Sequence, residues 1–201
     1  MTARPDPLAI AIASDHAGFD LKTLLADWLR MQGHDVADLG PHDTASVDYP
    51  DYGYALGRAI ADGRADFGVA VCGSGIGISI AVNRNPAARC ALVGDNLSAR
   101  LAREHNDANV IAFGARLIGT DTAKDALAAF LSTPFAGDRH VGRVAKLGNP
   151  IFTQEFALAA SPPSMVTFSP TGSLPAISPM PIRRFSRVSR ASSTASSTRS
   201  S

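Results

Sequence analysis

A thiol and a hydroxyl stand inside a glycine-rich segment, residues 72–77, with the sequence Cys-Gly-Ser-Gly-Ile-Gly. Its glycines are Gly73, Gly75 and Gly77. Glycines let backbone N–H groups approach an anion closely, and a helix N-terminus adds the attraction of its dipole. The same position stabilises a thiolate, so Cys72 is a candidate base or nucleophile, with Ser74 beside it. The alternative interpretation is a tight strand-to-helix turn next to an inert core cysteine.

Acidic, imidazole, amide and guanidinium side chains lie at the ends of other stretches. Asp15 and His16 follow the first apolar run of the chain. Arg139 and Arg143 are four residues apart, which would place both on one face of a helix and suit the bidentate capture of a phosphate. A turn, a helix cap or a solvated basic face is the alternative in each case. The remaining candidates of this kind are His105, Asn106 and Arg116.

Together these residues predict a site for a small phosphorylated substrate whose chemistry is proton transfer. The glycine-rich segment is not a P-loop, because no Lys-Ser/Thr pair follows it, and its glycine spacing differs from the dinucleotide-binding fingerprint. No cluster with metal-ligand spacing accompanies it in the sequence. We therefore expect neither a metal nor an organic cofactor.

Short apolar runs alternate with amphipathic stretches over the first 135 residues. The runs predict buried parallel strands at 8–13, 35–39, 67–72, 89–93 and 109–113, and helices are predicted at 19–31, 49–62, 75–82, 97–104 and 120–132. Five alternations predict a three-layer α/β/α, doubly wound, Rossmann-like fold with a five-stranded parallel sheet. The expected strand order is 2-1-3-4-5. That order makes the ends of strands one and three neighbours, so Asp15 and Cys72 would share one crevice.

The clearest predicted helix spans residues 19–31. Its apolar residues recur at the intervals i, i+3, i+4, i+7 and i+8, which makes one continuous stripe, and Gly33 is placed to end the helix. The stripe consists of Leu21, Leu24, Leu25, Trp28 and Leu29.

The formal net charge of +1 is the sum of two unlike segments. Residues 1–160 have a net charge of −4, whereas residues 161–201 contain five Arg, no acid, 13 Ser and six Pro. Such a composition buries too little apolar surface to offset chain entropy. We predict one domain over residues 1–150 and a disordered Ser/Pro/Arg-rich tail over residues 151–201. The tail is a lineage-specific extension, a frame-shift product or an anion-binding arm.

Cysteine content and hydropathy indicate the cellular compartment in which we expect the protein. Two cysteines among 201 residues cannot form a disulfide framework, and no apolar run approaches the ~18 residues needed to span a membrane. The N-terminus lacks the layout of a signal peptide. We expect a cytoplasmic protein with no membrane partner and no nucleic-acid partner.

Five stretches in a fixed order carry a resemblance that spans about residues 8–147. They are Ser14-Asp15-His16-Ala17-Gly18-Phe19, Asp48-Tyr49-Pro50, the segment 72–81 that begins Cys-Gly-Ser-Gly-Ile-Gly, the segment 102–110 that contains His-Asn-Asp-Ala-Asn-Val, and Gly137-Asp138-Arg139-His140. With these blocks, the chain resembles the type B ribose-5-phosphate isomerases, together with the galactose-6-phosphate isomerase subunits that share their fold.

The resemblance implies aldose–ketose isomerisation through a cis-enediolate, without a cofactor. Cys72 would be the base; some members use a carboxylate a few residues later, but residues 78–80 offer none here. Ser74 and the loop N–H groups would stabilise the enediolate together with Asn106. His105 would open the sugar ring, and Asp15 would bind substrate hydroxyls or assist. The phosphate-binding set would be His16, Arg116, Arg139 and Arg143.

The resemblance also implies a homodimer or a tetramer of dimers, with each active site at a subunit interface and with the thiol loop and His105 from different chains. The expected substrate is ribose 5-phosphate, which would place the protein in the pentose phosphate pathway. The alternatives are another sugar phosphate (allose 6-phosphate, galactose 6-phosphate or a tetrose phosphate) and a non-catalytic sugar-phosphate-binding module.

Overall fold

The computed structural model describes residues 7–149, which lie in one compact unit. Its strands are β1 (Ala9–Ser14), β2 (Asp35–Asp38), β3 (Phe67–Cys72), β4 (Cys90–Leu92) and β5 (Val110–Gly114). Its helices are α1 (Phe19–Gln32), α2 (Tyr49–Ala61), α3 (Ile76–Val82), α4 (Asn96–Asn106), α5 (Thr120–Ser132) and α6 (Val141–Gly148). No helix within residues 7–149 is both long enough and apolar enough to cross a lipid bilayer. The predicted disordered tail lies outside the described residues.

The strands form one parallel sheet in the order β2-β1-β3-β5-β4. This confirms the predicted fold class, a doubly wound α/β/α sandwich. The predicted order 2-1-3-4-5 is wrong for the last two strands: β5 lies beside β3, and β4 forms the edge.

Burial explains the position of the last two strands. All five residues of β5 are buried, as a strand covered on both faces requires, whereas β4 has three residues that are all partly or fully exposed. The position of β5 beside β3 matters for the site because it pairs Cys72, at the end of β3, with Gly114, at the end of β5. The loop that follows β5 therefore starts beside the thiol.

Two apolar clusters, one on each face of the sheet, form the core. Ile10 and Ile12 pack with α1, α4 and α5, whereas Ala11 and Ala13 pack with α2 and α3. Successive side chains of a strand point to opposite faces, which produces this division. Cys72 belongs to the second cluster, so its thiol faces the layer formed by α2 and α3.

A buried lysine joins α1 to the turn that follows β2. Lys22 is 1% exposed, and its Nζ lies 2.7 and 2.6 Å from the two carboxylate oxygens of Asp38 and donates to the Pro41 carbonyl at 2.7 Å. An ammonium group this deep in the fold needs such partners. The contacts attach the start of the long β2–α2 connection to the body of the protein.

Helix α1 confirms the predicted amphipathic segment. It ends at Gly33, whose φ of 93° lies in the left-handed region that glycine adopts at low cost. Leu25 and Leu29 are fully buried against the sheet, and Leu24, on the edge of the same stripe, is 37% exposed. The fully buried residues Leu25 and Leu29 therefore hold the helix against the sheet more than Leu24 does.

Leu25→Ala removes a side chain that packs in the core between α1 and the sheet. We expect the free energy of unfolding to fall by ~2–5 kcal/mol, because the transfer energy is lost and a cavity remains. Urea denaturation followed by circular dichroism measures this. The matched control Leu24→Ala should cost less than about 1 kcal/mol, and equal losses for the two variants would contradict the described burial of α1.

Candidate active site

The thiol of Cys72 sits at the end of β3, where the glycine-rich loop begins. The side chain is buried, and the Gly75 N–H donates to its Sγ at 3.0 Å, which directs a partial positive charge at the sulfur. The hydroxyl oxygen of Ser74, in the same loop, accepts from the Ile76 N–H at 3.3 Å. Loop and thiol together place donors and a potential base around one point.

The loop can take this shape only with glycine at its centre. Gly75 has a φ of 76° and precedes α3, and a Cβ there would lie 2.4 Å from Leu92 Cδ1 and 2.8 Å from the Phe113 carbonyl carbon. A Cβ on Gly77 would lie 2.6 Å from the ring of Tyr49. The glycine-rich segment is thus a closely packed turn, and a side chain at either position would displace neighbouring groups. That the loop binds an anion stays a prediction.

Asp15 and His16 lie at the end of β1, next to the end of β3. The Asp15 N–H donates to the Val71 carbonyl at 3.1 Å, and its buried carboxylate accepts from the Gly18 N–H at 2.9 Å. His16 Nδ1 lies 3.2 Å from both the backbone N and O of Val47, in the β2–α2 connection. Both residues are therefore grouped with Cys72, as expected from the neighbouring strand ends.

Arg116 joins this group from the loop after β5. Its backbone N–H donates to the Gly73 carbonyl at 3.1 Å, and a Cβ on Gly73 would touch the guanidinium at 3.4 Å. The side chain of Arg116 is exposed, so its charge faces the solvent side of the glycine loop. We refer to Asp15, His16, the 72–77 loop and Arg116 as the thiol edge.

A second group of candidate residues gathers where α4 ends and α6 begins. The rings of His105 and His140 stack with their centroids 4.5 Å apart and their planes inclined by 10°. Arg139 Nε donates to His140 Nε2 at 3.3 Å. Asn106 and Arg143 line a cavity of about 270 Å³ together with the two imidazoles. We refer to His105, Asn106, Arg139, His140 and Arg143 as the histidine edge.

The two groups lie at opposite ends of the strands. The thiol edge lies at their C-terminal ends and the histidine edge at their N-terminal ends. Cys72 pairs with the last residue of β5, Gly114, whereas His105 and Asn106 precede the first residue of that strand, Val110. Four residue steps along a parallel strand amount to ~13 Å. One chain therefore does not bring the histidine edge to the thiol.

His140 is a candidate site residue that the sequence reasoning did not single out. It follows Arg139 within a stretch that carries the family resemblance, and an imidazole adjacent to a proposed phosphate ligand is the signal that could have identified it. Burial lowers the pKa of His140 below its ordinary value, and the neighbouring His105, Arg139 and Arg143 lower it further, against a smaller opposing effect of the Asp138 carboxylate. The hydrogen bond from Arg139 also requires an unprotonated Nε2. The described surroundings of His140 therefore favour its neutral form.

Known proteins resemble the chain over its described part. A family model described as Ribose/Galactose Isomerase matches residues 10–147. Ribose-5-phosphate isomerase B of Escherichia coli (strain K12) is 41% identical over 135 residues, which cover 67% of this chain and 91% of the relative. D-erythrulose-4-phosphate isomerase of Pectobacterium atrosepticum is 41% identical over 142 residues, covering 70% and 93% respectively. The solved structure of Clostridium thermocellum ribose-5-phosphate isomerase B aligns with a TM-score of 0.69 and 43% identity, covering 76% of this chain and 99% of that one.

Acid should weaken the stack of His105 and His140. The folded-state pKa of His140 lies below its ordinary value of 6.5, so the unfolded chain binds this proton more readily than the folded chain. The stability contributed by the neutral ring is complete above about pH 6.5 and is lost as the pH falls through the folded-state pKa. An NMR titration of the His140 Cε1 proton measures this, with the urea-unfolded chain as reference. A folded-state midpoint at or above the unfolded one would contradict the described environment.

Proposed function

The chain belongs to the ribose/galactose isomerase family of sugar-phosphate isomerases, and from this premise we propose that it interconverts ribose 5-phosphate and ribulose 5-phosphate. The observation that carries the proposal is the thiol of Cys72, which accepts from the Gly75 N–H at the start of a glycine loop, beside a Ser74 hydroxyl that can donate to a developing oxyanion. Donors directed at developing charge are the largest single contribution in many enzymes. A sugar-binding module without catalysis would not need this thiol.

Cys72 is the proposed base of the reaction. Its thiolate removes the proton from C2 of the open-chain aldose, the electron pair forms the C1–C2 double bond, and the carbonyl oxygen O1 becomes the enediolate oxygen. The hydroxyl proton on O2 then passes to O1, and the thiol returns its proton to C1, which yields the ketose. Atoms and electrons balance without an oxidant, as an isomerisation requires.

The second cysteine is unsuited to this role. Cys90 lies on the edge strand β4, and burial raises the pKa of its thiol to about 12, so it stays protonated at neutral pH. Residues 78–80, the position of a carboxylate base in other members, carry no acid, and the Asp15 carboxylate already accepts a backbone hydrogen bond. These features support Cys72, with Asp15 left to bind a substrate hydroxyl.

The remaining proposed roles are divided between the two edges. Ser74 and the glycine-loop N–H groups lie on the thiol edge with His16 and Arg116, whereas the ring-opening base His105 and the enediolate ligand Asn106 lie on the histidine edge with Arg139 and Arg143. Guanidinium groups bind phosphate in a bidentate manner, which suits the arginines to the 5-phosphate. We propose that the thiol edge of one copy meets the histidine edge of a second copy.

Exposed apolar side chains support an interface between copies. Ile76 and Ile80 of α3 and Leu92 of β4 are each about half exposed next to the thiol edge. Helix α6 has an apolar side, with Val141 and Leu147 exposed, and none of its residues is buried. Association with another copy would cover these exposed apolar side chains near both edges.

A tetrose phosphate is the second candidate substrate. The observation that favours it is the 41% identity to a relative named D-erythrulose-4-phosphate isomerase, which equals the identity to the ribose-5-phosphate isomerase of Escherichia coli. A panel of four-, five- and six-carbon aldose phosphates, including allose and galactose 6-phosphates, separates these substrates by kcat/KM. We expect ribose 5-phosphate to have the highest value. No turnover of any member would contradict an enzymatic function.

Cys72→Ala should lower kcat on the preferred substrate by ~10²–10⁴-fold, the usual effect of losing a general base. Cys90→Ala is the matched control and should retain the activity of the unaltered chain, because its thiol stays protonated away from the loop. Steady-state rates of the purified variants, with circular dichroism to verify folding, measure both. Undiminished turnover by a folded Cys72→Ala protein would remove Cys72 from the mechanism.

A further inference from the structure

Asp107 directly follows His105 and Asn106 at the end of α4, and the proposed chemistry gives it no role. Asp107 has a φ of 45°, one of two non-glycine residues with positive φ among residues 7–149. Its N–H donates to the Arg103 carbonyl at 3.1 Å, and the next N–H, of Ala108, donates to the Ala102 carbonyl at 3.0 Å. This is the hydrogen-bond pattern that ends many helices, where glycine is the usual residue.

The carboxylate of Asp107 is shared by two arginines. Arg103 Nη1 donates to Oδ1 at 2.8 Å and Arg89 Nη2 donates to Oδ2 at 2.8 Å. Arg89 Nε also donates to the Asp107 carbonyl at 2.7 Å, so one guanidinium holds both the side chain and the main chain of this residue. Both carboxylate oxygens of Asp107 are thus bound to guanidinium groups. Its bonds are those of a structural anchor.

Both arginines are themselves fixed to rigid parts of the fold. Arg103 is 9% exposed; its guanidinium lies over the rings of Phe67 and Phe130, at 5.0 and 5.7 Å, and it also donates to the Ala108 carbonyl at 2.6 Å. The Arg89 N–H donates to Asn109 Oδ1 at 2.7 Å, just before β5 begins. The anchor thus joins the end of α4 to the aromatic core on one side and to the sheet on the other.

We propose that Asp107, Arg103 and Arg89 form a clamp of positioning residues, which sets the direction of the last turn of α4 and thereby aims His105 and Asn106 at the substrate. This inference rests on the proposed function of those two residues. A glycine would satisfy the left-handed backbone as well as aspartate does, but only the carboxylate also binds both guanidinium groups. The choice of aspartate is explained by the need to fix the orientation of this turn.

The segment that carries His140 also begins with an aspartate in the left-handed backbone conformation. Asp138, the other non-glycine residue with positive φ in the described range, begins the short turn that presents Arg139 and His140. The Ala136 N–H, two residues earlier, donates to the Glu104 carbonyl at 3.0 Å, so this segment is attached to the last turn of α4. A shift of that turn would therefore move both members of the imidazole stack.

Arg89→Lys tests the clamp with the charge kept. Lysine cannot donate to the Asp107 carbonyl and carboxylate at once from a planar fork, so the turn should loosen without leaving an unpaired charge. Small misplacements of catalytic groups are costly, and we expect kcat to fall ~10-fold with KM changed much less. The matched control is Arg64→Lys, since Arg64 contacts Asp62 at the end of α2 on the exposed surface, and its kcat should match that of the unaltered chain.

An Asn106→Ala background separates positioning from general stability. If the clamp acts through the α4 turn, Arg89→Lys should cost a smaller factor in kcat once Asn106 is gone, because one of the two aimed groups is missing. Rates are measured well below the unfolding temperature of every variant. An equal factor in both backgrounds, or a lowered melting temperature with unchanged kcat, would overturn the clamp as a positioning device.

The ring signals of His105 and His140 give a readout that needs no turnover. In NMR spectra of the full chain, Arg89→Lys should shift both imidazole signals, and Asp107→Asn, which keeps a residue tolerant of positive φ, should shift them further; Arg64→Lys should leave them unmoved. Unshifted signals in a folded Arg89→Lys or Asp107→Asn protein would overturn the inference. If the unaltered chain isomerises no sugar phosphate while these shifts occur, the clamp stands and the proposed function fails.

Discussion

All five strands run in the same direction, and this constraint decides where each chemical group of the proposed site lies. The C-terminal ends of parallel strands lie on the same side of the sheet, so Asp15, Cys72 and Arg116 gather there. Each connecting helix must return the chain to the N-terminal ends of the strands, so His105 at the end of α4 lies near the start of β5. The length of β5, ~13 Å, lies between these two positions and follows from strand geometry alone. This arrangement is the reason for the proposal that a second copy of the chain supplies the histidine edge.

Close packing at the thiol edge depends on the same arrangement. Because β5 neighbours β3, the loops that follow these strands lie against each other, and a Cβ on Gly114 would lie 2.7 Å from the Ser74 carbonyl oxygen. Gly75 is equally confined by Leu92 and Phe113. The glycines in these loops thus allow the close contact between the two strand ends, and this contact fixes the loop that carries the thiol.

Periodicity and loop chemistry predicted the five strands, helices α1 to α5 and the residues of the thiol edge, because these depend on neighbours in sequence. The order of β4 and β5 could not be predicted in this way, because both strands are apolar in sequence and only the fold shows that β5 is the more buried. The stack of His105 and His140 joins residues 35 positions apart, and the two arginines on Asp107 approach from opposite sides. Contacts of this kind follow from tertiary packing and leave little trace in a local pattern.

Mixing two inactive variants tests most directly whether each site is shared between copies. Cys72→Ala and His105→Ala chains, unfolded together and refolded, should regain about a quarter of the activity of the unaltered chain, because half of the dimers are mixed and each mixed dimer has one intact site. Cys72→Ala mixed with Ser74→Ala is the control, since both lesions lie on the thiol edge, and it should show no gain. Absence of recovery in the first mixture, with mixed dimers verified by mass spectrometry, would contradict a site built from two copies.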